Sequence, residues 1–204
     1  MAPTKYSMSF TTGGLLSQES ERVASLYLEL GDWVLVRDRA LEIGLMQTRM
    51  LSSAKRIYRE VSARLQTLTD NEIELLVNGS DRQRMDMLWL AICCRYTFIR
   101  DFSVDILRER FLTLRYEISN EDFDAFFNAK AEWHHELDTI TSSTRTKLRQ
   151  NLFRMLREAE FISHANRIQP AVLSPQTLDL IMRRGIDTLH IYPALDSEAN
   201  RRSK

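Results

Sequence analysis

Apolar residues recur at helical spacing along nearly the whole chain. Val23, Leu26, Tyr27 and Leu30 fall at i, i+3, i+4 and i+7, with Ser17 placed to cap that helix, Gly31 to end it and Asp32 to cap the next. Over 52–68, Ala54, Ile57, Val61, Leu65 and Leu68 make one apolar stripe. Thr69 and Glu72 then read as a capping box for a short helix closed by Gly79. Over 81–100, Met85, Met87, Leu88, Leu90, Ala91, Ile92, Cys93, Tyr96, Phe98 and Ile99 leave little polar face, which predicts a buried central helix. Ser103 opens a helix to about Arg115, and Ser119 and Asp122 form a second capping box leading into Phe123, Phe126 and Phe127.

The pattern changes near Trp133. A short helical turn at 136–140 and a polar break precede a long amphipathic helix over 143–160. Two extended pieces follow, 161–163 and 167–169, separated by His164, Ala165 and Asn166 at hairpin spacing and closed by Pro170. Short helix, turn, longer helix and hairpin is the order of a winged helix-turn-helix. Ser174 and Pro175 cap one further helix that Gly185 ends. The expectation is an all-α protein: a helical domain over 1–132, a winged-helix-like domain with a small β-hairpin over 133–193, and a loose tail over 194–204 that carries Asn200, Arg201, Arg202 and Lys204.

Composition agrees with this. The 204 residues are 44% hydrophobic and 27% charged, with 6 Gly and 4 Pro, where average usage would supply about 14 and 10. Such scarcity of turn formers disfavours a sandwich, a barrel or a disordered chain. Lys plus Arg equals Asp plus Glu at 28 each, so no overall field gathers nucleic acid and any such activity must come from local patches. The first ten residues lack a secretory pattern, and no run approaches the roughly 20 apolar residues that span a bilayer, which places the protein in the cytoplasm without membrane contact.

Catalytic chemistry finds little footing. Cys93 and Cys94 are adjacent in an apolar stretch and read as two small buried residues. His134, His135 and Glu136 lack the i, i+4 histidines of a zinc-protease helix, and His164 and His190 stand elsewhere. No phosphate loop, dinucleotide fingerprint or nucleophile elbow occurs. The chain reads as no enzyme, with no cofactor and no metal.

Local charge is more telling. Over 142–160, Arg145, Lys147, Arg149, Arg154 and Arg157 stand against Glu158 and Glu160, a net of about +3. Leu148, Leu152, Met155, Leu156 and Ala159 share one side of this helix, while Ser143, Thr146, Lys147, Gln150, Arg154 and Arg157 point the other way. Lys and Arg can meet phosphates or guanine, Gln can read adenine, and Ser or Thr can bond either, so this face suits duplex DNA. A second candidate face carries Arg49, Ser52, Lys55, Arg56 and Arg59, within a stretch, 37–67, of seven basic and three acidic residues. Aligning Ser52 with Ser142 matches Arg59 with Arg149 and Arg64 with Arg154, a weak internal repeat. Acidic residues gather elsewhere, at Asp70, Glu72, Glu74 and Asp81 and at Glu117, Glu121, Asp122 and Asp124. The bland alternative for both faces is an ordinary solvated helix surface.

The opening Ser9-Phe10-Thr11-Thr12-Gly13-Gly14-Leu15-Leu16, with Leu26-Tyr27-Leu28 and Asp32-Trp33, resembles the BrxA family of the bacterial BREX phage-exclusion systems. Ser52-Ser53-Ala54-Lys55-Arg56, Leu88-Trp89-Leu90-Ala91-Ile92 and Phe153-Arg154-Met155-Leu156-Arg157-Glu158 are similar in order and spacing. The resemblance covers residues 9 to about 193 and includes no catalytic signature. It implies a small helical accessory protein, similar in part to the NusB-type helical fold, that binds double-stranded DNA beside the system's methyltransferase, ATPase and phosphatase-like components. An interaction adaptor whose basic faces meet acidic partner surfaces is the alternative. Glu160 stands where a glycine would ease entry to the wing.

Overall fold

Local start and stop signals act largely where their chemistry requires across residues 5–194, the part of the chain described by this computed structural model. α1 (Ser17–Leu30) ends at Gly31, whose φ of 66° lets its N–H donate back to the Tyr27 carbonyl at 2.8 Å. The Asp32 carboxylate accepts from the N–H groups of Val34 and Leu35 at 2.7 and 3.1 Å and starts α2 (Trp33–Glu42). Ser17 is the first helical residue and not the cap, because Leu16 turns the chain at φ 56°. α3 (Leu51–Leu65) precedes α4 (Asp70–Asn78), which opens on the capping box of Thr69 and Glu72 and ends at Gly79.

These helices and α5 (Asp81–Arg95) form a compact unit over Thr12–Arg95. Seven successive residues, Met87 to Cys93, are buried in α5 because α1, α3 and α4 pack around it. Cys93 is inside, but Cys94 is exposed, so only one of the pair fills the core. The expected helix over 81–100 is broken at Tyr96, which adopts extended backbone before α6 (Thr97–Phe102) begins. Arg64 is buried at 1% exposure, where its guanidinium meets the Glu60 carboxylate at 2.7 Å and donates to the Gly14 carbonyl at 2.8 Å. It therefore holds the segment before α1 against α3 and contributes nothing to a surface charge.

The second unit takes residues 5–11 together with those after Arg95, so the division falls after Thr11 and after Arg95, whereas the sequence pattern placed it at 132/133. α6 continues through a π-helical turn (Ser103–Arg108) into α7 (Glu109–Leu112). Ser103 lies inside this helix, its hydroxyl donating to the Ile99 carbonyl at 2.7 Å, and does not start it. α8 (Asn120–Ala131) begins at the predicted capping box of Ser119 and Asp122. A single 3-10 turn (His135–Leu137) leads to α9 (Ser142–Glu158), capped by Thr141, and then come α10 (Pro175–Arg183), capped by Ser174, and a 3-10 stretch (Ile186–Ile191).

The expected β-hairpin reduces to an isolated antiparallel bridge between Ile162 and Ile168, and a second bridge joins Glu117 to Arg167. Ser163 N–H reaches the Arg167 carbonyl at 2.8 Å and Gln169 N–H the Phe161 carbonyl at 2.9 Å. Pro170, with no N–H to donate, ends the pairing there. No longer strand forms among the described residues.

Phe98 is the centre of this unit. Its ring lies 5.2 to 6.1 Å from those of Tyr6, Phe10, Phe123, Phe126 and Phe127. Polar contacts fasten the amino-terminal segment: the Tyr6 hydroxyl donates to Asp101 at 2.7 Å, the Tyr6 ring stacks on His134 at 3.8 Å, and the buried Asn151 amide of α9 donates to the Phe10 carbonyl at 3.0 Å. Glu136 accepts the Tyr6 backbone N–H and faces His134 Nδ1 at 3.2 Å. No helix among the described residues is long and apolar enough to cross a membrane. The expected tail lies, apart from Ala194, outside the described residues.

Two tests address these cores. Leu88 is 1% exposed, so Leu88→Ala should destabilise the protein by about 2 to 5 kcal/mol in urea unfolding. Burial opposes ionisation of Glu136, but the Tyr6 N–H, its own backbone N–H and His134 outweigh it and hold the carboxyl below its ordinary 4.5. A folded pKa below the unfolded value stabilises fully above the unfolded value, and the contribution is lost as pH falls through the folded one. Urea titrations below pH 4.5 should therefore show an acid-side loss of stability that Glu136→Gln makes shallower.

Candidate functional site

On α9 the residues Leu148, Asn151, Leu152, Phe153, Met155 and Leu156 are buried, and the opposite side is open. Ser143, Thr146, Lys147, Gln150 and Arg154 are exposed along that side, as their spacing predicts. Arg157 is half-buried: its guanidinium donates to Asn166 Oδ1 at 2.7 Å and lies over the Phe153 ring, which ties α9 to the turn between the bridged segments. Arg154 pairs with Glu158 at 2.7 Å on the surface.

Two of the five cations counted on this helix point elsewhere. Arg145 donates to the Asp124 carboxylate at 2.9 Å, to the Asp124 carbonyl at 2.8 Å and to Asn128 at 2.7 Å, and it stacks on Phe127 at 4.3 Å. Arg149 pairs with the same Asp124 carboxylate. They lock α9 to α8, so Asp124 is a structural partner of the basic helix and the signs are less segregated than the sequence implied.

Glu160 closes α9 in the left-handed conformation, at the position where a glycine would ease the turn. Glu160 has φ 60°, its N–H reaches the Arg157 carbonyl at 3.0 Å, and the Phe161 N–H reaches the Leu156 carbonyl at 2.9 Å. This is a Schellman closure with a glutamate at the left-handed position that glycine fills best. Beyond it, His164, Ala165 and Arg167 are exposed beside the turn. Neither His164 nor Arg167 is among the binding residues expected from the sequence, where only the hairpin spacing could have pointed to them.

On the other unit, Arg49, Ser52, Lys55, Arg56 and Arg59 are all exposed. The surrounding charge is reduced by the Arg37–Asp38 and Arg39–Glu42 pairs and by the burial of Arg64. The internal repeat has no structural counterpart, since Arg64 is buried where Arg154 is exposed, and Arg59 is open where Arg149 is tied to Asp124. The five exposed residues also divide. At 100° per residue Ser52 and Arg56 face away from the core, whereas Lys55 and Arg59 line a trench of about 540 Å³ between α2 and α3. Trp33, Val34, Leu41 and Tyr58 also line it, with Arg37 on the α2 side. Its signal in the sequence is the cluster Trp33, Val34 and Leu35, which is too apolar for the outside of a helix.

His134 is buried against Tyr6 and Glu136, while His135 and His164 are exposed. No group of three or more His, Cys, Asp or Glu could hold a metal ion among the described residues.

Fold and site together define an all-helical protein with a separate cation-bearing helix face on each of two units. The BrxA family model matches residues 4–185, and the chain belongs to that family. It is 25% identical over 175 residues to the BREX protein BrxA of Escherichia coli O9:H4 (strain HS), covering 85% of this chain and 82% of the relative. It is 23% identical over 159 residues to the BREX protein BrxA of Bacillus cereus (strain H3081.97), covering 78% and 80%. A crystal structure of an uncharacterized protein from Magnetospirillum magneticum shares the fold, with a TM-score of 0.80 at 20% identity over 93% of this chain and 99% of that one.

Asp124→Ala should lower stability by roughly 1 to 2 kcal/mol, because it unpairs two partly buried guanidinium groups. Lys147→Ala should stay within about 0.5 kcal/mol of wild type. Thermal unfolding of the two variants side by side checks both.

Proposed function

We propose that this chain is a non-catalytic component of a BREX phage-defence system that binds double-stranded DNA through α9, in the cytoplasm, beside methyltransferase, ATPase or phosphatase-like components. The observation that carries this reading is the exposed line of Ser143, Thr146, Lys147, Gln150 and Arg154 on a helix whose other face is fully buried. A rigid helix with donors on its amino-terminal half is the element that enters a major groove, where side chains near the helix start reach base edges. Lys147 and Arg154 are suited to phosphates, and Gln150 to adenine.

A winged-helix arrangement is supported by the order of elements. The helix of α6 and α7, the bridged Glu117, α8, α9 and the bridged pair Ile162 and Ile168 succeed one another as in that module. In this reading α8, and not the turn before α9, is the first helix of the helix-turn-helix, and Arg157 with Asn166 sets the wing against α9. The helices of the unit Thr12–Arg95 are read as NusB-like in part, and their open Arg49, Ser52 and Arg56 offer a second phosphate contact. The deciding experiment is a gel-shift titration on duplex, single-stranded and RNA probes at several salt concentrations. Duplex should bind best. Lys147→Ala with Arg154→Ala should reduce the salt slope by about 2 and leave the helical circular dichroism intact. An unchanged slope would remove α9 from the interface.

A further inference from the structure

We infer that the trench between α2 and α3 is a docking site for an acidic amphipathic helix of a partner protein, an inference that stands apart from duplex binding by α9. α2 packs chiefly on α1 and α3 and buries only Val36 and Ala40. Its other apolar side chains stay in reach of solvent: Val34 is 58% exposed and Leu35 55%. A helix of a soluble unit ordinarily turns polar residues outward, and a concave apolar surface rimmed by charge marks an interaction site.

The floor is preformed and mainly apolar; its polar lining on α3 is Gln66 and Ser62, whose hydroxyl is turned to the Arg59 carbonyl at 3.3 Å. Trp33 is stacked on Tyr27 at 4.2 Å, and the Tyr58 hydroxyl is directed to the Trp33 carbonyl at 3.4 Å. Cations stand on both walls. Lys55 and Arg59 are one helical turn apart on α3, and Arg37 faces them from α2 with its neighbour Asp38 at 3.0 Å. No ion pair is formed by Lys55 or Arg59 among the described residues.

Length and shape select the occupant. From Lys55 to Gln66 the α3 wall runs about 17 Å at 1.5 Å per residue, and Leu51, one turn before Lys55 and 60% exposed, extends it. That is about three turns of a helix laid alongside, with apolar residues at i, i+3, i+4 and i+7 on the floor and carboxylates reaching the walls. A duplex presents a convex row of phosphates, which gains nothing from an apolar floor. Such a partner helix matches both the floor and the rim.

The test uses the full chain and a fluorescein-labelled synthetic helix of about 18 residues with Leu at those spacings and Glu beside them. A copy with Lys for Glu and a scrambled sequence serve as controls. The acidic helix should bind at least about tenfold tighter than either control. Lys55→Glu with Arg59→Glu should weaken it at least about tenfold while circular dichroism is unchanged, and so should Val34→Asp. Equal binding of acidic and basic helices, or indifference to both substitutions, would overturn the proposal. Loss of duplex affinity in the Lys55 and Arg59 variant as large as its loss of peptide affinity would also overturn it, by assigning those cations to nucleic acid.

Discussion

The unit that carries α9 depends on one aromatic side chain. Phe98 meets Tyr6 and Phe10 from the amino-terminal segment and Phe123, Phe126 and Phe127 from α8. Four of these pairs are edge-to-face and that with Phe10 is stacked; such packing is directional as well as apolar, so it fixes orientations that oily contact alone would leave loose. Once α8 is set on Phe98, Asp124 on the same helix is presented to Arg145 and Arg149, and those pairs fasten α9 to α8 in the rotation that its buried stripe of Leu148, Leu152, Met155 and Leu156 requires. The outward line from Ser143 to Arg154 follows from that rotation.

Cations on these helices therefore do two different jobs. Arg64, Arg145 and Arg149 hold elements together, each against a carboxylate and with much of its side chain out of water. Arg is suited to this because its planar donors satisfy several acceptors at once, as Arg145 does with the Asp124 carboxylate, the Asp124 carbonyl and Asn128. Lys147, Arg49, Lys55, Arg56 and Arg59 remain exposed and keep their charge available. Net charge counted along the sequence adds the two kinds together, so it overstates what a polyanion would meet.

The two exposed sets differ in their surroundings. On α9 the cations stand among hydroxyl and amide groups, which can take part in polar recognition. Beside α2, Lys55 and Arg59 border aromatic and aliphatic side chains, where removal of apolar surface from water adds to the attraction of charge. The family to which the chain belongs is defined over both regions, since its model matches residues 4–185.

Local chemistry alone determined much of this protein. The capping boxes at Thr69 and Ser119, the caps at Asp32 and Ser174 and the stop at Gly31 depend on neighbours within a few residues, so sequence reports them directly. The exposed face of α9 was legible for the same reason, because helical periodicity separates it from the buried stripe. Tertiary structure decided what lies far apart in the chain. Asn151 meets Phe10 and Tyr6 meets Asp101 and His134, which draws the first described residues into the unit of α9 and moves the division of the chain to Thr11 and Arg95. It also decided which arginines are structural, since Arg64 and Arg149 look like their exposed neighbours until the Gly14 carbonyl and the Asp124 carboxylate are in place. Periodicity says which side of a helix is wet; it does not say which distant side chain will come to cover it.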